Sequence, residues 1–164
     1  MRIMRKACRA APAAILAIVA AAGARAGDDA LPEIDHVSCT GAANELRVIV
    51  QGVERSVGLM TVELYRNDPE NFLKKEGRAL RVRVAARAPA TRLCLHAPEP
   101  GAYALAVYHD ENANEKLDKK MFGLPAEPYG ISNNPRMRFG PPDIEEALIH
   151  VAAEGAAAEI ELKN

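Results

Sequence analysis

The chain has 164 residues, of which 49% are hydrophobic and none is Trp. This length corresponds to one globular domain. The 21 basic and 22 acidic residues give a formal net charge of −1. No block of basic residues alternates with aromatic residues, which argues against nucleic acid as a partner.

The first 26 residues predict a signal peptide that is cleaved on export. Four basic residues, an apolar run at 10–22 and a small-x-small site at 24–26 occur in the order typical of such leaders. The apolar run is too short for a stable transmembrane span. We therefore expect a periplasmic or secreted protein without a transmembrane segment after cleavage. Removal of 1–26 takes away five basic residues and leaves 16 basic and 22 acidic ones, a net charge of −6.

Two cysteines remain after the leader, Cys39 and Cys94. An even number of cysteines in an exported chain favours a disulfide, with two free buried thiols as the alternative. A Cys39–Cys94 bridge closes a loop of more than fifty residues, which contributes about 4 kcal/mol on chain-entropy grounds. Cys39 falls in a predicted N-terminal extension, 27–45, which precedes the domain.

Residues 46–164 are predicted to form one all-β domain. Short segments with period-two alternation of apolar residues, separated by turn signals, predict seven strands at 46–51, 60–65, 80–84, 92–96, 103–110, 148–151 and 158–162. In the third of these, Arg81 and Arg83 mark the predicted solvent face. The pattern is typical of a seven-stranded antiparallel Greek-key sandwich.

One short helix is predicted after the second strand. Asp68 is a suitable N-cap, Pro69 suits the first helical position and Gly77 suits the end. The helix would have about two turns. A further single turn is predicted from Asp143 through Glu146.

A run of oxygen-bearing groups follows the fifth strand at the spacing of a calcium-binding loop: Asp110, Asn112, Asn114, the backbone carbonyl of Lys116, and Asp118. Two positions depart from that pattern, because Glu115 replaces the usual Gly and Met121 replaces the bidentate Glu. A further oxygen would have to come from Glu111, Glu115 or Glu127. The alternative is a plain turn, since Asp and Asn favour turns by bonding nearby backbone amides.

The segment 110–142 is predicted to be a long ordered loop. A loop of this length inside a compact domain usually has a function or is disordered, and its spaced aromatic residues favour order. Ser132, Asn133 and Asn134 are expected to hydrogen-bond the loop backbone. Ligand binding is their alternative role.

The motifs HDENANEKLD, FGLPAEPYGISNNP and FGPPDIEEA resemble the signature of a bacterial family called domain of unknown function 2141. Ala113 and Glu115 stand where many relatives have Gly, and Ile131 stands where Phe is usual. The signature positions of the loop are Phe122, Gly123, Pro125, Glu127, Tyr129, Gly130, Ser132, Asn133, Asn134, Phe139, Gly140 and Pro141. The resemblance implies an exported single-domain sandwich of the transthyretin-like or carboxypeptidase-regulatory type. It implies no established activity.

Three hypotheses for the function follow. The first is a non-catalytic module that binds an unknown ligand or envelope protein through the 110–142 loop. The second is a structural domain stabilised by Ca²⁺, the only cofactor that the sequence suggests. The third is a small hydrolase that uses His109 and Asp110. Neighbouring strand residues point to opposite faces, and no nucleophile motif or metalloprotease motif occurs, so we expect the protein not to be an enzyme.

Overall fold

The computed structural model describes residues 39–136 and 140–164. The predicted signal peptide and the first part of the N-terminal extension lie outside these residues. Phe139 lies outside them as well, and the side chain of Phe122 is not described. In the part of the chain that the structure describes, no helix is long and apolar enough to cross a membrane.

The domain is all-β and consists of two sheets. The elements in chain order are β1 (Glu45–Gln51), β2 (Leu59–Arg66), β3 (Arg78–Ala85), β4 (Ala90–His96), β5 (Gly101–Asp110), β6 (Tyr129–Ile131), α1 (Ile144–Ala147), β7 (Leu148–Val151) and β8 (Ala156–Glu161). One sheet has three strands in the order β4-β1-β8. The other has five, in the order β3-β2-β5-β6, with β7 also paired to β5. The segment 110–142 begins at the end of β5. β5 also pairs with β6, which lies within that segment, and with β7, which follows it.

The core lies between the two sheets. Successive strand residues point to opposite faces, so Met60, Val62 and Leu64 of β2 face the core and the residues between them do not. Leu46 and Val48 of β1 belong to the same buried cluster and face them from the other sheet. This arrangement confirms the predicted sandwich at the level of two packed sheets.

The predicted strand count was wrong, because eight strands are present among the described residues. The additional strand is β6, which lies inside the segment predicted to be a loop. It pairs with Ala106–Tyr108 of β5. Three residues are too few to give a period-two signal. The purely antiparallel arrangement was also wrong, since β1 pairs with β8 in parallel. Sequence periodicity does not report strand direction.

The predicted helix after Asp68 is absent from the described residues. The Asp68 carboxylate does accept a hydrogen bond from the backbone N–H of Glu70 at 3.1 Å, as a cap would. Leu73, however, has a φ of 60°, a left-handed conformation that interrupts a helix. Between Asp68 and β3 the chain forms a 3-10 turn, at Lys75–Gly77, in place of the predicted helix. The single turn predicted after Asp143 is present as α1.

The Cys39–Cys94 disulfide is confirmed, with the two Cα atoms 5.2 Å apart. It attaches the residues before β1 to β4. The buried Glu45 holds the same segment, because its carboxylate accepts the backbone N–H groups of Thr40 at 2.6 Å and Gly41 at 3.0 Å.

Candidate functional site

The candidate site begins where β5 ends, at Asp110. This side chain is fully buried and its carboxylate accepts two backbone N–H groups, from Asn114 at 3.0 Å and from Glu115 at 2.7 Å. The backbone also packs tightly here: a Cβ on Gly58 would lie 2.0 Å from the Asp110 carbonyl oxygen. Asp110 is thus the internal acceptor that folds the following residues into a turn.

The other predicted calcium-ligating residues lie in this same turn. Asn112 Oδ1 accepts the N–H of Asn114 at 3.0 Å, and Asn114 Oδ1 accepts the N–H of Lys116 at 2.9 Å. The amide groups of Asn112 and Asn114 donate to the Asp118 carboxylate at 2.8 and 3.1 Å. Each of these four side chains therefore accepts hydrogen bonds from amide groups of the turn.

Ala113 and Glu115 both adopt left-handed backbone conformations, with φ of 54° and 63°. Gly reaches this conformation without steric cost, so these are two positions that favour Gly. In this chain Arg83 offsets part of the strain. Its guanidinium donates to the Glu115 carbonyl at 3.3 Å and lies 3.7 Å from the Glu115 carboxylate.

Glu127 anchors the turn from the other side. Its Oε1 accepts the backbone N–H of Glu111 at 3.2 Å and its Oε2 accepts that of Asp118 at 3.1 Å. Burial raises the pKa of this carboxyl, and the nearby negative charges of Asp110 and Asp118 raise it further. Three carboxylates thus surround one turn. From the sequence, Glu127 was a signature position and a possible additional metal ligand; its role as an acceptor for two backbone N–H groups was not predicted.

Residues 118–126 form a small hairpin that the sequence analysis missed, which we call the tip hairpin. The N–H of Ala126 donates to the Asp118 carbonyl at 2.7 Å, and the N–H of Lys120 donates to the Leu124 carbonyl at 2.7 Å. A 3-10 turn at Met121–Gly123 closes it, with Gly123 at a φ of 79°. Gly123 and Pro125 were the sequence signals for such a turn.

The tip hairpin presents apolar side chains to solvent. Met121 is 79% exposed and Leu124 is 61% exposed, the two highest values among the large hydrophobic residues described. Lys119 and Lys120, which directly precede Met121, are exposed as well, and so is Lys116 just before the hairpin. The hairpin therefore carries exposed basic and apolar side chains on a backbone held by hydrogen bonds.

The second half of the signature packs into the domain. A Cβ on Gly130 would lie 2.6 Å from the side chain of Ile160, so only Gly fits against β8. The buried Ser132 hydroxyl accepts the N–H of Leu105 at 2.9 Å and donates to the Ala147 carbonyl at 2.5 Å. It connects β5 to α1. Tyr129 pairs with Lys163 through two backbone hydrogen bonds.

The next two signature residues bond other elements rather than the loop itself. Asn133 donates to the carbonyls of Glu146 at 3.2 Å and Leu148 at 2.8 Å. Asn134 donates to the Glu159 carbonyl, and its side-chain oxygen accepts the N–H of Glu161 at 2.8 Å. These side chains form hydrogen bonds with backbone groups, as expected, but the bonds join 129–134 to α1, β7 and β8. Gly140 and Pro141 are exposed.

His109 and Asp110 do not converge. His109 is 1% exposed and its Nε2 lies 2.7 Å from the Val57 carbonyl oxygen. Its Nδ1 lies 3.9 Å from a Glu111 carboxylate oxygen. Asp110 is directed to the turn, as alternation along a strand requires. Each of the two side chains therefore has its own hydrogen-bond partners, and neither is accessible to solvent.

Within 39–136 and 140–164, one group of three potential metal-ligating side chains has its ligand atoms within 4.8 Å of one another: Cys39, Glu45 and Cys94. The two sulfur atoms are bonded to each other in the disulfide. The group is therefore a disulfide bond beside the buried carboxylate of Glu45. The carboxylates of Asp110, Asp118 and Glu127 do not lie this close together.

The fold and the loop define a two-sheet β-sandwich domain with a long segment between β5 and α1. The chain belongs to the family described as "Uncharacterized protein conserved in bacteria", domain of unknown function 2141, whose model matches residues 48–159. The resemblance seen in the sequence is thereby confirmed. No curated protein and no solved structure matches the chain.

Proposed function

We propose that this chain is a non-catalytic exported module that binds another component of the cell envelope through the 110–142 loop, with the tip hairpin as the contact surface. One observation carries the proposal: Met121 and Leu124 are the most exposed large hydrophobic side chains described, and they sit on a hairpin held by backbone hydrogen bonds. Exposed apolar groups on a fixed scaffold are typical of interaction sites.

Other signature residues of the loop have a structural role. The side chains that form hydrogen bonds with backbone groups of the domain are those of Glu127, Ser132, Asn133 and Asn134. Loop side chains with such partners act as anchors. The surface left for a partner is the tip hairpin that precedes them.

The non-catalytic part of the proposal is supported by the burial of the candidate dyad of His109 and Asp110. His109 is 1% exposed and Asp110 is fully buried. A general base must come within hydrogen-bond reach of its substrate, and neither side chain faces solvent. We also propose, from the family resemblance, that the sandwich is of the Greek-key, transthyretin-like type.

Stabilisation by Ca²⁺ is the second candidate function. The observation in its favour is the repulsion among Asp110, Asp118 and Glu127: the charges of the first two raise the pKa of the Glu127 carboxyl beyond the effect of burial, although the three carboxylates do not lie within 4.8 Å of one another. A divalent cation would relieve this repulsion, and carboxylate and amide oxygens are the ligands that Ca²⁺ prefers. The hydrogen bonds within the turn would have to share their acceptor oxygens with the ion.

Fractionation of cells that export the protein tests the main proposal. We expect much of the wild-type protein to be recovered with the envelope fraction, and a double variant, Met121→Ser with Leu124→Ser, to be released into the soluble fraction. The control is Val57→Ser, which changes an exposed apolar side chain outside the loop. Equal distribution of all three proteins would reject the hairpin as the contact surface.

A further inference from the structure

We infer that the partner of the tip hairpin is the surface of an anionic lipid bilayer. Met121 and Leu124 would enter the interfacial region while Lys116, Lys119 and Lys120 contact headgroup phosphates. The inference rests on the proposed function, since it names the partner of the same surface.

Basic residues are concentrated in and just before the tip hairpin. Three of the 16 basic residues outside the predicted leader fall within five positions, at Lys116, Lys119 and Lys120, and all three are exposed. In the part of the chain that the structure describes, none of them forms an ion pair. Of the acidic residues nearby, Glu127 is buried, Asp118 accepts hydrogen bonds from asparagine amides, and the exposed Glu115 lies 3.7 Å from the Arg83 guanidinium. The exposed charges between Asp118 and Glu127 are therefore the two lysines at 119 and 120, in a chain whose net charge without the leader is −6.

The exposed apolar surface of the tip hairpin is small. A stable protein interface buries roughly 800 Å² on each partner, far more than two side chains on a narrow hairpin supply. Binding at a bilayer surface needs only a few inserted apolar side chains together with basic residues near anionic headgroups. The tip hairpin has this composition and little more.

Backbone hydrogen bonds preorganise the tip hairpin for binding. The hydrogen bonds between Lys120 and Leu124 and between Ala126 and Asp118 order the hairpin before it meets a surface. Less conformational entropy is then lost on binding. Met adds a flexible side chain that adapts to an irregular apolar environment.

The acidic remainder of the domain sets the orientation. Anionic headgroups attract the three lysines and repel the rest of the surface, so only the tip approaches the bilayer. Binding should therefore be reversible and weakened by salt, because screening acts over about 10 Å at 0.1 M ionic strength.

Vesicle co-sedimentation of the protein purified after export tests this inference. The probes are vesicles of phosphatidylglycerol with phosphatidylethanolamine, compared with vesicles of phosphatidylcholine alone. We expect at least tenfold tighter binding to the anionic vesicles, since each lysine near such a surface contributes roughly fivefold. Lys119→Glu with Lys120→Glu should lower that affinity about tenfold or more, and Met121→Ser with Leu124→Ser should lower it by a similar factor.

Two controls match these variants. Lys74→Glu with Arg92→Glu makes the same change in net charge at exposed positions elsewhere, and Val57→Ser makes a similar apolar-to-polar change. Both should bind as the wild type does, and equal melting temperatures would show that all variants are folded. The inference is overturned if the wild type does not sediment with anionic vesicles, or if the tip variants bind as well as the controls. Envelope association that depends on Met121 without vesicle binding would overturn the lipid assignment and leave the proposed function standing, with a protein partner.

Discussion

The carboxylate of Glu127 accepts a hydrogen bond from the backbone N–H of Asp118 at 3.1 Å and so joins the two stems of the tip hairpin across its base. Its other oxygen accepts the N–H of Glu111. One buried side chain thus fixes the end of β5, the Asp/Asn turn and the hairpin together. The exposed tip depends on this anchor for its position.

The same carboxyl gives a pH-dependent prediction. Burial, followed by the charges of Asp110 and Asp118, raises its pKa above the ordinary value of 4.5. The folded protein then binds this proton more tightly than the unfolded chain, so its contribution to the free energy of unfolding falls as pH rises through the window between the ordinary and the raised pKa. Relative to Glu127→Gln, the wild type should lose stability as the pH rises from the ordinary pKa of 4.5 through the raised pKa.

Urea unfolding of both proteins across that range checks this prediction. Glu145→Gln, at an exposed position, is the control and should track the wild type. A constant stability difference between the wild type and Glu127→Gln would show that this carboxyl does not titrate differently in the folded state.

Ser132→Ala should destabilise the fold. The hydroxyl is fully buried and serves both the Leu105 N–H and the Ala147 carbonyl, so its removal leaves buried polar groups without a partner. The expected cost is about 1–3 kcal/mol in the free energy of unfolding, measured by chemical denaturation. Ser56→Ala removes an exposed hydroxyl that accepts the Ala88 N–H and should cost about 1 kcal/mol or less. Equal losses from the two variants would contradict the role given to Ser132.

The Cys39–Cys94 disulfide should contribute strongly to stability. It joins residues 55 positions apart, for which constraint of the unfolded chain contributes about 4 kcal/mol. The native protein should show no reactive thiol from this pair, and a reductant should lower its denaturation midpoint. A variant with Cys39→Ser and Cys94→Ser should be less stable and insensitive to reductant. If reductant leaves the wild-type midpoint unchanged although both thiols are freed, the stabilising role is wrong.

The calcium alternative predicts a higher melting temperature in millimolar Ca²⁺ than in chelator, because a ligand that binds only the folded state stabilises it by mass action. The matched variants are Asp118→Asn, which should abolish the increment, and Glu146→Gln, an exposed carboxylate outside the loop, which should keep it. Identical wild-type melts in Ca²⁺ and in chelator would dispose of the alternative.

Sequence reasoning found the strands with long apolar alternation and the importance of 110–142. It missed β6 because three residues carry no period, and it placed a helix after Asp68 because capping residues do not report the left-handed Leu73. Arg83 was assigned to a solvent face and is buried beside Glu115.

The anchoring roles of the loop were only partly readable from the sequence. Asn and Ser in a loop indicate hydrogen bonds to backbone, and the structure has them. Their partners in β5, β7 and β8 are 15 or more residues away in sequence, which no local pattern encodes. The tip hairpin was not predicted for a related reason. The hydrogen bond from the Asp118 N–H to the Glu127 carboxylate sets the base of the hairpin and so the position of Met121, and no local pattern encodes it.

The most direct test of the central claim is photocrosslinking from the hairpin tip in cells that export the protein. A photoreactive residue at position 121 should give adducts with a lipid or a protein of the envelope, and the same residue at position 57, another exposed apolar site, should give few or none. Glu127→Ala should lower the yield at position 121, because it releases the anchor of the hairpin. Equal yields from positions 121 and 57, or no adduct from either, would contradict the claim that the 110–142 loop exists to present this tip to a partner.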